Sequence, residues 1–251
     1  MSLPIALQLY TVRDALKGDL EGTLKAISTI GFENVEIAGF YNKTPGEFRQ
    51  LLEKNNLKPI SMHANLTDSS TNLDQTIRNA KELGVNYVVC SYLSVPERED
   101  YDKAARLLAE GAYKAAQQGI TLAYHNHSFE FVKDAQGRRG LDVIFDTNSG
   151  SKLNAELDIY WVQHGGDNPV DWMKKLAGRI PLLHVKDMAN TPERGFAEVG
   201  TGTVDIKAAV HAAPQVGVKY LIVEQDSHWK GSPLESAKIS LTNLKTIIAS
   251  L

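Results

Sequence analysis

The amino-acid sequence predicts an α/β protein that forms a single (β/α)8 TIM barrel over residues 1–251, and three observations support this prediction. Short apolar runs alternate with amphipathic segments along the whole chain, which is typical of parallel strands covered by helices. Eight strand–helix units follow one another at intervals of roughly 25–35 residues, the repeat length of βαβ units. The length of 251 residues fits one closed barrel.

The alternative fold is a doubly wound open sheet. Proteins of that class carry a glycine-rich phosphate loop after their first strand. Here the first strand continues as QLYTVRD, without such a loop. The closed barrel is therefore favoured.

The first half of the chain supplies four strand–helix units. The predicted strands are residues 4–9, 34–38, 58–62 and 86–90, and the predicted helices are residues 19–30, a helix from 44 onward, 71–83 and 96–118. Gly31, Gly84 and Gly119 end three of these helices. Thr44 and Pro45 start the remaining one with a capping hydroxyl and a proline in the first turn.

The second half supplies four more units. The predicted strands are residues 120–124, 154–157, 180–185 and 220–223, and the predicted helices are residues 140–147, 170–176, 205 to about 214, and 232–249. The segment VGTGTVD precedes the third of these helices. It is predicted to be a loop that turns into the helix rather than a phosphate-binding loop.

Composition and charge exclude several function classes. The net charge of −3 and the pI near 6.2 provide no electrostatic footprint for nucleic acid or an acidic membrane. Cys90 is the single cysteine, so an internal disulfide is excluded. The sequence shows neither a signal peptide nor a run of about 18 apolar residues, and the expected location is the cytoplasm. The expected partner is a small molecule, and a homo-oligomer is compatible with the sequence.

The stretch ITLAYHNHSFEF contains more potentially metal-binding or proton-transferring groups than any other segment of its length. An apolar run ends abruptly in His125, Asn126 and His127, and Glu130 follows closely. These groups can bind a metal or move a proton just past a buried strand. The alternative interpretation is a polar loop with two incidental histidines.

The same pattern recurs at the carboxyl end of other predicted strands, where a barrel places its active site. The polar or reactive residues there are Gln8, Tyr10, Glu36, His63, Cys90, Ser91, His125, His127, Asp158, His184, Lys186 and Glu224. The amino ends carry ordinary surface and turn residues. Because buried carboxylates and imidazoles are costly unless they are paired or bind a metal, their convergence indicates a shared partner.

Asp158, His184 and Glu224 are the predicted metal ligands. Carboxylate oxygens with an imidazole and no thiolate suit a divalent Mn, Co, Mg or Zn ion. Lys186 lies two residues beyond His184 on the same strand face, from which it would reach a substrate oxygen. Alternatively, Asp158 caps the next segment and Lys186 belongs to a surface pair.

Four further residues are expected to line the substrate pocket. Glu36 and His63 either contact the substrate or are hydrogen-bonded structural residues. Trp161 and Phe129 either form an apolar wall for a sugar ring or belong to the core.

The residues at the strand ends resemble those of a known family. The chain is similar to the xylose-isomerase-like TIM barrels, specifically the broad sugar phosphate isomerase/epimerase group. The resemblance covers nearly the whole chain and rests on the segments LQLYTVRD, IGFENVEIAGFY, YHNHSFEF, ELDIYWV, LLHVKDM, GTGTVDI and LIVEQD. The group spans isomerases, epimerases, lyases and a DNA-repair endonuclease branch, and the acidic balance disfavours that last branch.

The resemblance implies one divalent metal ion with four ligands. Family members bind it through a glutamate after strand five, an aspartate after strand six, a histidine on strand seven and a glutamate on strand eight. The last three correspond to Asp158, His184 and Glu224. Here His125 stands where the first glutamate is usual, so the fourth ligand is expected to be Glu130, with His125 as the alternative.

The resemblance also implies a reaction. The expected function is isomerisation or epimerisation of a keto sugar or a related polyol-derived ketone through an enediolate. Glu224 or Glu130 would remove the α-proton, and a second acid or base such as His125 would return it. The alternatives are a 3-keto-glycoside lyase that uses the same metal site and a non-catalytic sugar-binding barrel. No basic cluster for a phosphate group is visible at the strand ends beyond Lys186 and Arg13.

Overall fold

The computed structural model describes residues 3–66, 72–146 and 150–251 and confirms the predicted barrel. Its eight barrel strands are β1 (Ile5–Gln8), β2 (Asn34–Ile37), β3 (Lys58–Ala64), β4 (Tyr87–Cys90), β5 (Thr121–His125), β6 (Asn154–Asp158), β7 (Leu182–Val185) and β10 (Tyr220–Val223). All neighbours pair in parallel, and β1 closes the barrel by pairing with both β2 and β10. A separate antiparallel hairpin joins β8 (Asp187–Met188) and β9 (Phe196–Ala197).

Helices cover the outside of the strands. They are α1 (Arg13–Gly18), α2 (Leu20–Ile30), α3 (Pro45–Lys54), α4 (Leu73–Leu83), α5 (Val95–Arg98), α6 (Tyr101–Gln117), α7 (Gly140–Asp146), α8 (Ile159–His164), α9 (Pro169–Lys175), α10 (Ile206–Ala212) and α11 (Pro233–Ala249). Within the described ranges, no helix combines the length and apolar character needed to cross a membrane.

The barrel interior is built in layers along the strands. A small apolar cluster fills the lower part, and its buried members are Ala6, Ile60, Val89, Ala123, Leu182 and Ile222. Two residues further along, the same strand face carries polar groups, because side chains alternate with a period of two. Leu182 is followed in this way by His184, and Ala123 by His125. The apolar layer therefore supports a polar layer at the carboxyl ends of the strands.

Three local predictions differ from the structure. The predicted helix 96–118 is two helices, because Asp100 caps a new helix by accepting a 2.8 Å hydrogen bond from the amide of Lys103. The short helices α1 and α8 and the β8–β9 hairpin were not predicted. His125 was placed after the fifth strand but is the last residue of β5. Thr71 and Thr147, predicted as helix ends, lie outside the described residues.

Candidate functional site

Several of the predicted site residues line a cavity of about 410 Å³ at the carboxyl ends of the strands. The residues that line it are Tyr10, Ala38, His63, Ser91, Tyr92, His125, His127, Lys186, Glu224 and Asp226. A volume of this size suits a small polar ligand.

A group of four buried side chains lies at the floor of the cavity. His125 ends β5, Asp158 ends β6, His184 lies on β7, and Glu224 directly follows β10. One ligand atom from each lies within 4.8 Å of the other three, and the group could hold a metal ion. The parallel register explains this convergence, because Asp158 pairs directly with His184.

Two of the distances within this group are longer than a direct hydrogen bond, as in a metal site, whereas the third is a hydrogen bond. Oδ2 of Asp158 is 3.7 Å from Nε2 of His125 and 4.0 Å from Nδ1 of His184. Nδ1 of His184 is 3.0 Å from Oε2 of Glu224. Ligand atoms around a tetrahedral zinc ion are about 3.4 Å apart, given metal–ligand bonds of about 2.1 Å.

Asp158 has one oxygen to offer such an ion. Its Oδ1 accepts a 3.0 Å hydrogen bond from the amide of Trp161 and so caps α8. Its Oδ2 is buried and accepts no hydrogen bond within the described part of the chain, although Nζ of Lys186 lies 3.2 Å away. The capping role and the ligand role therefore fall on different oxygens of the same carboxylate.

Two deeper carboxylates hold the other nitrogen of each imidazole. Nδ1 of His125 is 3.0 Å from Oε2 of Glu156, and Nε2 of His184 is 2.7 Å from Oε1 of Glu36. Carboxylates in this position fix the ring orientation and tautomer of a metal-binding histidine. Nε2 of His125 and Nδ1 of His184 are thereby left facing Asp158 and Glu224.

His63 lies between these two deeper carboxylates. Its Nε2 is 2.7 Å from Oε2 of Glu156 and 3.1 Å from Oε1 of Glu36. Burial lowers the pKa of His63, but the charges of Glu36 and Glu156 outweigh burial and raise the pKa to about 10. An imidazolium at this position compensates the two buried carboxylates.

A second group with potential metal ligands comprises His63, His125, Glu156 and His184. Here Oε2 of Glu156 lies within 2.7 to 3.1 Å of a nitrogen from each histidine. These are direct hydrogen-bond distances, too short for an ion between the atoms. This lower group is therefore a hydrogen-bonded network beneath the group of His125, Asp158, His184 and Glu224.

Lys186 is buried among three carboxylates. Its Nζ is 2.6 Å from Oε2 of Glu224, 3.2 Å from Oδ2 of Asp158 and 3.1 Å from Oδ2 of Asp226. Burial lowers the pKa of Lys186, but the surrounding negative charges outweigh burial and raise it well above its usual range. The ammonium is therefore retained, at the wall of the cavity.

Glu130 is not brought into either group by the structure. Its two oxygens accept hydrogen bonds from the hydroxyl of Tyr124, at 2.6 Å, and from the amide of His127, at 2.9 Å. Burial raises the pKa of Glu130 to about 7. Glu130 thus fixes the loop after β5, and His125 is the residue of that loop region whose nitrogen reaches Asp158.

Two aromatic rings, those of Phe129 and Trp161, lie beside His127, which lines the cavity. The ring of His127 stacks on Phe129, with centroids 5.4 Å apart and planes 9° apart, and lies 5.4 Å from the ring of Trp161. Burial lowers the pKa of His127 to about 3, so the ring is neutral. In the described ranges, Nδ1 of His127 and Nε1 of Trp161 have no hydrogen-bond partner, although both are buried. Of these two residues, His127 lines the cavity.

Three site residues were not identified from the sequence: Glu156, Asp226 and Tyr92. The alternation of a strand provides a signal for Glu156, which lies two residues before Asp158 and therefore points to the same face. The VGTGTVD segment is a loop that leads into α10, as predicted. Asp187 anchors it by accepting hydrogen bonds from the amides of Gly200, Gly202 and Val204.

Comparison with known proteins finds one matching family and two curated relatives. The sequence profile of the xylose isomerase-like TIM barrel matches residues 24–247. An inosose dehydratase from Clostridium beijerinckii is 21% identical over 191 residues, which are 67% of this chain and 63% of that protein. A second inosose dehydratase, from Clostridium botulinum, is 29% identical over 86 residues, which are 28% of its length. The chain thus spans less than two thirds of the curated relatives that it matches.

Solved structures show the same fold. The structure of a sugar phosphate isomerase/epimerase from Parabacteroides distasonis has a TM-score of 0.82 and 21% identity, covering 99% of this chain and 96% of its own. The structure of the IolI protein with a binding zinc atom has a TM-score of 0.78 and 16% identity, covering 99% of both chains.

Proposed function

Because the chain belongs to the xylose isomerase-like TIM-barrel family, we propose that it is a divalent-metal-dependent isomerase or epimerase of a keto sugar or a related polyol-derived ketone. The observation that supports this proposal is the convergence of His125, Asp158, His184 and Glu224 at the floor of the 410 Å³ cavity. Two imidazoles and two carboxylates suit Zn, Mn or Co, and an ion that takes five or six ligands would keep a position open for substrate.

The residues that would hold the ion are His125 through Nε2, Asp158 through Oδ2, His184 through Nδ1 and Glu224 through Oε2. When bound, a divalent ion would polarise a substrate carbonyl and stabilise the enediolate formed by loss of the α-proton. Oδ2 of Asp158 fits this role, since it is buried, accepts no hydrogen bond within the described residues and has the ammonium of Lys186 as a neighbouring cation at 3.2 Å.

Glu224 is the proposed proton acceptor. It follows β10 and faces the cavity, and the charge of Lys186 and the hydrogen bond from His184 hold its pKa well below its usual range although burial alone would raise it. It is therefore ionised at neutral pH. On the same wall, Lys186 would donate to a substrate oxygen. His63, an imidazolium that also lines the cavity, is placed to return a proton.

The charges around the cavity favour an uncharged carbohydrate. Lys186 is the cationic lysine of its lining, and it is already paired with three carboxylates. Asp226 and Glu224 contribute negative charge to the same wall. A phosphate group would be repelled by these carboxylates. The neutral ring of His127, which stacks on Phe129 and lines the cavity, instead suits the apolar face of a sugar.

The test is exchange of the substrate α-proton with solvent. The protein is supplied with Mn²⁺, Co²⁺ or Zn²⁺, incubated with a panel of keto sugars and inososes in D2O, and deuterium incorporation is followed by NMR. Glu224→Gln should abolish exchange, whereas Glu235→Gln, on the exposed start of α11, should not. His184→Ala should also lose the stoichiometric metal found by elemental analysis. Ligand binding without any exchange in the metal-loaded wild type would instead indicate a sugar-binding barrel.

A second candidate is elimination at the same site. The curated relatives are named inosose dehydratases, and removal of an α-proton followed by departure of a β-hydroxyl releases water. The same first step would release an aglycone from a 3-keto-glycoside. Analysis of the exchange reactions for dehydrated or cleaved products separates elimination from isomerisation.

A further inference from the structure

Lys186 lies against the oxygens that would bind the metal ion. Its Nζ is 2.6 Å from Oε2 of Glu224 and 3.2 Å from Oδ2 of Asp158. The same two oxygens face Nδ1 of His184, at 3.0 and 4.0 Å. The ammonium and a divalent ion would therefore share these carboxylate oxygens.

Such sharing is unfavourable in a buried site. Lys186 is 2% exposed, and Asp158 and Glu224 are buried as well. Repulsion between an ammonium and a divalent ion a few ångströms apart is screened much less here than it would be in water. A lysine ammonium is a compact charge on a flexible four-carbon stem, so it can move away without movement of the backbone.

Asp226 offers a second position for the ammonium. Its Oδ2 and Oδ1 are 3.1 and 3.4 Å from Nζ of Lys186. Its side chain is 23% exposed and lines the cavity. Asp226 does not belong to either of the groups in the described ranges that could hold a metal ion. It can therefore keep the ammonium when the other two carboxylates bind an ion.

We propose that Lys186 is the internal counter-cation of this site, which pairs with Asp158 and Glu224 until a divalent ion displaces it onto Asp226. The inference rests on the metal site proposed above. Displacement frees the ammonium from two of its three partners and leaves it at the cavity wall, where it can donate to a substrate oxygen. Metal binding would in this way prepare the substrate site.

The first test is a titration of the chelator-treated protein with Zn²⁺ or Mn²⁺, read by competition with a chromophoric chelator. Lys186→Met should bind the ion more tightly than wild type, by about 10-fold or more, because the competing charge is gone. Lys219→Met is the matched control, since Lys219 is exposed at the opposite end of the barrel and should leave the affinity unchanged. Equal or weaker binding by Lys186→Met would overturn the proposal.

The second test needs no variant and separates displacement from simple charge repulsion. Crystal structures of the wild type with and without Zn²⁺ should show Nζ of Lys186 move beyond about 4 Å from Oδ2 of Asp158, the limit of an ion pair, while it stays on Asp226. An ammonium that remains on both ligand carboxylates beside the bound ion contradicts the inference but leaves the proposed function intact. If the wild type binds no divalent ion, the proposed function itself fails, and the inference fails with it.

Discussion

Glu156→Gln should weaken metal binding although Glu156 does not belong to the proposed ligand set. Its Oε2 is the acceptor for Nδ1 of His125 at 3.0 Å and for Nε2 of His63 at 2.7 Å. Its Oε1 has no hydrogen-bond partner in the described ranges, so the amide nitrogen of glutamine can take that position. The carbonyl oxygen then keeps the place of Oε2, and the variant loses the charge while it keeps the shape.

The expected size of the effect follows from the hydrogen bond to His125. A hydrogen bond to a charged group contributes about 1.5–3 kcal/mol, and a neutral one about 0.5–1.5 kcal/mol. Loss of the charge therefore costs the oriented imidazole about 1–2 kcal/mol, which is about 10-fold in affinity. The general range for carboxylates behind metal-binding histidines is about 10- to 100-fold.

The assay is competition for Zn²⁺ or Mn²⁺ with a chelator, together with urea unfolding of both proteins without metal. Glu198→Gln is the matched control, because Glu198 is a buried carboxylate that bonds to Ser236 and to the amide of Lys230 outside the cluster. If Glu156→Gln binds the ion within about two-fold of wild type, Glu156 does not support His125 as argued.

Two other substitutions test the protonation of Glu130 and the proposed ligand role of Asp158. Burial raises the pKa of Glu130 from 4.5 to about 7, so the folded state favours the protonated carboxyl. The free energy of unfolding that this gives is fully present below pH 4.5 and is lost as the pH rises through 7. Between pH 5 and 8, wild type should lose about 2–3 kcal/mol more unfolding free energy than Glu130→Gln, as measured by urea denaturation; equal pH profiles would contradict this. Asp158→Asn keeps the oxygen that caps α8 by accepting a hydrogen bond from Trp161. It removes a carboxylate that is costly in its ionised form, because burial raises the pKa of Asp158. It should abolish metal binding in elemental analysis without lowering the unfolding free energy, and a variant that keeps its metal would exclude Asp158 as a ligand.

The sequence was sufficient to predict the barrel and three of the four proposed ligands. Asp158, His184 and Glu224 each end an apolar run, and the rule that barrel sites lie at the carboxyl ends of strands brings them together. The sequence left open whether Glu130 or His125 is the fourth ligand, and the structure favours His125. In sequence, His125 directly follows the predicted strand 120–124, and Glu130 lies five residues further on. In the structure, the hydroxyl of Tyr124 and the amide of His127 donate hydrogen bonds to the two oxygens of Glu130.

Other features of the site were not predicted, either because they lie within a strand and not at its end or because they depend on distant contacts. Glu156 lies inside a predicted strand, and an inspection limited to strand ends passes over it. Asp226 belongs to the site because it pairs with Lys186, which lies 40 positions away in sequence. The break between α5 and α6 depends on whether Asp100 continues a helix or caps one, and the apolar periodicity is compatible with both.

The hydrogen-bonded network beneath the proposed metal site joins the two halves of the barrel. Glu36 and His63 come from β2 and β3, whereas His125, Glu156 and His184 come from β5, β6 and β7. The bond between His184 and Glu36 spans 148 positions of sequence. A half-barrel would therefore bury carboxylates or imidazoles without their partners, which is costly. The buried charges of this network make incomplete barrels unfavourable, so the network itself helps to specify a closed ring of eight strands.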